Sequence, residues 1–162
     1  MSEKQKAAKL SIASNITLVS MKIIVGIFSG SVSIISEAIH SLMDLVASLV
    51  AYVAVRFADT PPDKEHPYGH GKMENISGVI EALLIFVAAI WIIYESVHKL
   101  IKGGENIEQP GLGFLVMAVS ALVNFFVSAY LYRVAKKTNS IALEADALHL
   151  KTDVYTSLGV SI

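Results

Sequence analysis

The chain has 162 residues, 54% of them hydrophobic and 17% charged, with no cysteine and a formal charge of −1; its mean hydropathy is +0.58. So apolar a composition excludes an ordinary soluble domain and points to an integral membrane protein. The near-neutral charge excludes the basic surface that nucleic acid requires, and without cysteine a bound metal has only His nitrogen and carboxylate oxygen to hold it.

Residues 1–9 are polar and include Lys4, Lys6 and Lys9. The apolar stretch behind them is longer than a signal-peptide core and lacks a small-residue cleavage site, so it reads as a retained first span. Five apolar stretches, near residues 10–29, 32–57, 76–100, 112–135 and 141–162, each approach the roughly 20 residues that cross a hydrocarbon core of about 30 Å. The predicted fold class is an all-α integral membrane protein, a polytopic bundle of five transmembrane helices forming one domain over residues 1–162. Gly30-Ser31 joins the first two spans as a tight hairpin. A hydrophilic insertion at 58–75 contains Pro61-Pro62 and a cluster of His, Asp and Gly, and a second break at 102–113 is turn-rich.

Cytoplasmic loops retain Lys and Arg. Lys4, Lys6 and Lys9, then Arg56, Lys64 and Lys72, then Arg133, Lys136 and Lys137 fall on one side, against Lys99 and Lys102 on the other. The N-terminus and the His-rich loop are therefore expected in the cytoplasm, with Ile162 near the outer surface. A fifth span without a return helix leads to the expectation that the chain is a fragment.

Two spans carry one polar signature. Glu37-Ala38-Ile39-His40 leads to Asp44, and Asp146-Ala147-Leu148-His149 leads to Asp153. Ionisable residues are costly within apolar helices, so two matched His-x-x-x-Asp sets are a functional signal. In the second span Ser33, Glu37, His40, Ser41, Asp44 and Ser48 share one face; in the fifth, Asp146, His149 and Asp153 lie within about 60° of one another. At about 1.5 Å of rise per residue, antiparallel passage of these two helices places His40 level with Asp153 and Asp44 level with His149. Two imidazoles and two carboxylates at mid-membrane suit a tetrahedral zinc ion. Glu37 and Asp146 either orient the histidines or line a water-filled access path. Ser33, Ser41 and Ser48 read as packing or path lining, while Lys22, Glu81 and Asn124 read as polar contacts between helices.

In the loop, Asp63, His66 and His70 have spacings able to close around a second metal ion, with Gly69 and Gly71 free to take unusual backbone angles. The competing reading is a solvated loop whose polar groups satisfy water.

Together, the His40 to Asp44 and His149 to Asp153 pairs and the run Asp63-x-x-His66-Pro67-Tyr68-Gly69-His70-Gly71-Lys72-x-Glu74 resemble the cation diffusion facilitator family of metal exporters. The resemblance covers the chain from the first span to the fifth. It implies a six-span architecture, a cytoplasmic C-terminal domain of ferredoxin-like fold, a homodimer and metal-proton antiport, with the sixth span and the C-terminal domain absent from this chain. It implies that His40, Asp44, His149 and Asp153 form the transport site and Asp63, His66 and His70 the loop site. The two His-Asp pairs are similar to those of zinc-preferring members; manganese members usually carry carboxylates or Asn in place of the histidines.

The expected function is export of a divalent transition metal, Zn2+ first and Cd2+, Co2+ or Fe2+ by the same nitrogen and oxygen chemistry, in exchange for protons. The expected partners are lipid, the metal and a second copy of the chain, in a plasma or inner membrane. Two other classes compete. Glu37-x-x-His40 matches one element of a di-iron carboxylate oxidase, with Asp146-x-x-His149 and Glu81 as its only complements, and a membrane metal sensor would bind without transporting. No His-Glu-x-x-His occurs, which excludes the common zinc protease motif.

Overall fold

In the computed structural model, which describes residues 1–102 and 110–160, five α-helices follow in chain order: α1 (Glu3–Ser29), α2 (Val32–Ala58), α3 (Met73–Lys102), α4 (Pro110–Thr138) and α5 (Ile141–Val160). The turn-rich break at 102–113 lies largely outside the described residues, as do positions 161 and 162 of the fifth stretch and the side chains of Ser33, Lys99 and Lys102.

The first, third and fourth helices overrun the apolar stretches because backbone hydrogen bonding continues into the charged flanks. Helix α1 starts at Glu3 because Ser2 caps it, its hydroxyl accepting from the Gln5 N–H, and Glu3 sits favourably in the first turn. Gly30 ends α1 at φ 67°, a left-handed cap suited to glycine, and the Ser31 hydroxyl then accepts from the Ile34 N–H to start α2. At Gly26 a Cβ would stand 2.8 Å from Ile35 Cγ1, so the absent side chain is what lets the hairpin close.

Helices α1 to α4 are long and apolar enough to cross a membrane. Helix α5 has the length, 20 residues or about 30 Å, but it carries Glu144, Asp146, Lys151 and Asp153 and falls outside that compositional class. Its place in the bundle accounts for this. Helix α5 touches each of the other four helices, so protein rather than lipid surrounds much of it, and polar side chains are tolerated there.

The packed centre joins Val55, Leu131, Leu143 and Leu150 with small residues including Ala7, Ala54, Ala135 and Ala147. Small side chains let helix backbones approach where lipid offers no hydrophobic gradient. Outward faces are apolar, with Phe86, Ile90, Trp91, Phe125 and Phe126 all exposed, as a hydrocarbon environment requires.

One polar network fixes the helix ends to a common level. Lys4 pairs with Asp59 and with Glu74 Oε1, each at 2.9 Å. The Ser140 hydroxyl, in the short turn between α4 and α5, donates to Glu74 Oε2 at 2.5 Å. Burial alone would raise the Asp59 pKa, but hydrogen bonds from Ser2, Lys4 and Gln5 and the Lys4 charge outweigh it and hold the carboxyl below its ordinary value. The start of α1, the end of α2, the start of α3 and the start of α5 are thereby tied at one end of the bundle.

Candidate metal centre

From that common level, α5 carries Asp146 inward by about 7.5 Å, His149 by about 12 Å and Asp153 by about 18 Å. Helix α2 runs the opposite way and brings His40 and Asp44 past them. The side chains meet crosswise: His149 Nε2 lies 3.1 Å from Asp44 Oδ1, and His40 Nε2 lies 3.9 Å from Asp153 Oδ1. His149 Nε2 is also 3.9 Å from Asp153 Oδ2. His40, Asp44 and Asp153 each place one donor atom within 4.8 Å of the others. Four donors about 2.1 Å from a tetrahedral ion stand about 3.4 Å apart; three of the four expected donors meet in this group, and His149 stands beside it through its contacts to Asp44 and Asp153.

The setting is dry on one side and open on the other. The Asp44 and His149 side chains are 6% and 7% exposed, whereas His40 is 29% exposed. Asn15 of α1 donates to the Asp44 backbone carbonyl at 3.2 Å, and Ser128 of α4 donates to the Ala147 carbonyl at 2.8 Å. These bonds hold α2 and α5 from both flanks, so the position of each donor is set by the bundle rather than by its own helix alone.

The flanking acids divide. Glu37 is paired through Oε2 with Lys22 Nζ at 3.2 Å, and the same ammonium, 4% exposed as a residue, donates to Ser41 Oγ at 2.8 Å. A Glu-x-x-His iron ligand would have to leave that lysine. Asp146 is fully buried, and neither of its oxygens has a hydrogen-bond partner among the described residues. The fully buried Glu81 of α3 receives a hydrogen bond from Ser77 at 2.9 Å through one oxygen only. Ser48 donates to its own helix at the Leu45 carbonyl, and buried Asn124 leaves its side-chain oxygen unpartnered.

Lys22 and Glu37 had a readable signal. They stand at similar distances before and after the Gly30-Ser31 turn, so an α-hairpin brings them to similar heights.

In the loop, Asp63 Oδ1 accepts from the backbone N–H groups of His66 at 2.6 Å and Glu65 at 2.9 Å. The His66 backbone bond is the leading reason that the Asp63 carboxyl is held below its ordinary pKa. His66 Nδ1 stands 3.1 Å from Oδ1, His70 Nε2 stands 3.4 Å from Oδ2, and the imidazole centroids are 4.4 Å apart. Gly69, at φ 80°, makes the turn that brings His70 back. Asp63, His66 and His70 thus form a second convergent group, with Asp63 and His66 exposed and His70 largely buried.

The chain matches the cation efflux transmembrane domain over residues 8–162. It is similar to an uncharacterised transporter of Synechocystis sp., at 39% identity over 96% of this chain and 50% of the relative. It is also similar to the cation-efflux pump FieF of Shewanella oneidensis, at 30% identity over 95% of this chain and 52% of the relative. The manganese efflux system protein MneP of Bacillus subtilis is likewise 30% identical, over 98% of this chain and 52% of the relative. The chain therefore spans about half the length of these relatives. With a domain match running nearly end to end over an all-α membrane bundle, the chain belongs to the cation efflux, or cation diffusion facilitator, family.

Proposed function

We propose that the protein exports a divalent transition metal, zinc foremost, in exchange for protons, with His40, Asp44, His149 and Asp153 as the transport site. The observation that carries this reading is the crosswise meeting of two His-Asp sets from antiparallel helices, at 3.1 and 3.9 Å, inside the bundle. Two carboxylates balance a divalent charge, and neutral imidazoles complete a nitrogen and oxygen donor set suited to zinc. Manganese is the principal competitor, being named for one relative, but a site with two imidazoles favours the softer ion.

Exchange for protons follows from charge. Donors must be deprotonated to bind metal, and the same imidazoles and carboxylates can carry protons when the metal is gone. Metal binding thus expels protons, and proton binding helps release metal. Alternation between the two membrane faces turns this competition into transport driven by a proton gradient.

The same reading makes α5 a fifth span, places the N-terminus and the His-rich loop in the cytoplasm of a plasma or inner membrane, assembles the full-length protein as a homodimer, and gives the loop triad a second metal ion near the access side. The test is zinc and manganese flux into proteoliposomes of the full-length protein under an imposed pH gradient, against Asp153→Ala. Gradient-driven zinc uptake that vanishes in the variant supports the reading. Flux of manganese but not zinc overturns the selectivity, and metal binding without flux replaces the exporter with a sensor.

A further inference from the structure

Beneath the four donors, on the side of the bundle where the Lys4–Glu74 network lies, sits a pair of acids that the transport site does not use. Glu81 and Asp146 are both 0% exposed. Glu81 lies about 12 Å into α3 from Met73, and Asp146 about 7.5 Å into α5 from Ile141. The two helices start level because Ser140 is bonded to Glu74. They also pack closely there: a Cβ on Gly78 would meet Ile141 Cγ2 at 3.3 Å.

The surroundings supply little to hold two negative charges. The charged and titratable groups bearing on Glu81 are Asp146 and His149, both on α5, and its one hydrogen bond comes from Ser77 on its own helix. Asp146 faces the Ser11 hydroxyl of α1 without closing a hydrogen bond, and feels His149 and Asp153 of α5 and Asp44 of α2. Lys22, the buried ammonium among the described residues, is engaged by Glu37 and Ser41. Two fully buried carboxyls on packed helices, with three of four oxygens unpartnered among the described residues, are costly to keep ionised together in a medium of low dielectric.

We propose that Glu81 and Asp146 form a proton-holding carboxyl pair, separate from the metal donors, which releases a proton when a divalent cation enters the tetrad. This rests on the metal-site reading above. The arriving charge stabilises the ionised carboxyls, the O–H bond of the acid that holds the proton breaks, and the proton leaves toward the Lys4–Glu74 end of the bundle. The pair therefore adds a proton to the exchange beyond those displaced from the ligands themselves.

The test combines two measurements on the full-length protein in detergent. Infrared difference spectra of the metal-free protein are expected to show a protonated-carboxyl C=O stretch, lost in Glu81→Gln and lost or shifted in Asp146→Asn. Zinc titration calorimetry in buffers of different protonation enthalpy is expected to give about one fewer proton released per zinc in Glu81→Gln, at unchanged stoichiometry of zinc. Its Kd then varies with pH less steeply than that of the wild type, by about tenfold per unit. A wild-type spectrum without that band, or an equal proton count in wild type and Glu81→Gln, overturns the pair. Failure of the tetrad itself has another signature: Asp44→Ala binding zinc as well as the wild type. The infrared result decides the pair in that case too, and the wild-type spectrum with Asp146→Asn decides it where Glu81→Gln does not fold.

Discussion

The tetrad between α2 and α5 and the triad in the loop are built from the same donors in opposite settings. In the tetrad, Asp44 and His149 are 105 residues apart in sequence and 6% and 7% exposed. In the triad, Asp63 and His66 are three residues apart and about half exposed. The first arrangement exists only when the whole bundle is assembled, so metal binding there is coupled to how the helices sit. The second is organised by one short turn that leads directly into α3, the Met73 N–H donating to the His70 carbonyl at 2.9 Å. The proposed function assigns transport to the first and capture to the second on this difference: burial and long-range positioning, not donor identity, connect a ligand to conformational change.

The largest expected effect separates the two by the same substitution. Asp44→Ala removes a donor and leaves His149 Nε2 without its 3.1 Å partner inside the bundle. Zinc affinity at the tetrad should fall by more than about 100-fold, and gradient-driven flux should cease. Comparison with Asp63→Ala by calorimetry and flux breaks the contrast if the two variants lose transport equally.

A smaller effect is expected from Lys22→Met, which tests whether the buried site depends on charge organisation that the loop lacks. Glu37 and Ser41 lose the ammonium as a partner, and Glu37 regains some water because its side chain is 37% exposed. Thermal unfolding in detergent should show a loss of about 1–2 kcal/mol. No change would mean that the lysine is a bystander to the packing of α1 on α2.

How far the sequence reaches is visible in these same residues. The stripe on α2, the stripe on α5 and their crosswise levels follow from 1.5 Å of rise per residue and antiparallel passage, and the loop cluster follows from adjacency. Lys22 with Glu37 required the hairpin symmetry about Gly30. Glu81 with Asp146 required knowing that α3 packs on α5, which no periodicity encodes. The charges of α5 carry the opposite lesson: they lower its apolar character as a span, and they are accommodated because α5, like α2, touches each of the other four helices.

Next in size is a pH effect at the tied helix ends. The Asp59 carboxyl is held below its ordinary pKa of 3.8 in the folded protein. Its contribution to stability is therefore complete above that value and is lost as pH falls through the lower, folded one. Because Asp59 is partly exposed, the loss is at most about 1 kcal/mol after solvent screening. Asp59→Asn should flatten this part of the acid side of a stability profile, and an unchanged profile would remove Asp59 from the network that levels the helices.

The smallest effect is expected in the loop, and its form matters more than its size. Asp63→Asn keeps the acceptor for the His66 and Glu65 N–H groups and removes only the charge facing His66 and His70. The turn persists, so the melting temperature should not move. If the triad captures metal on its way to the tetrad, it lowers the concentration of metal needed without touching the transport step, and its loss raises KM with kcat unchanged. The rise should be about fivefold or less, the scale of one exposed ion pair. A fall in kcat instead would mean that the loop moves with the helices during the cycle, and the division between capture and transport would have to be redrawn.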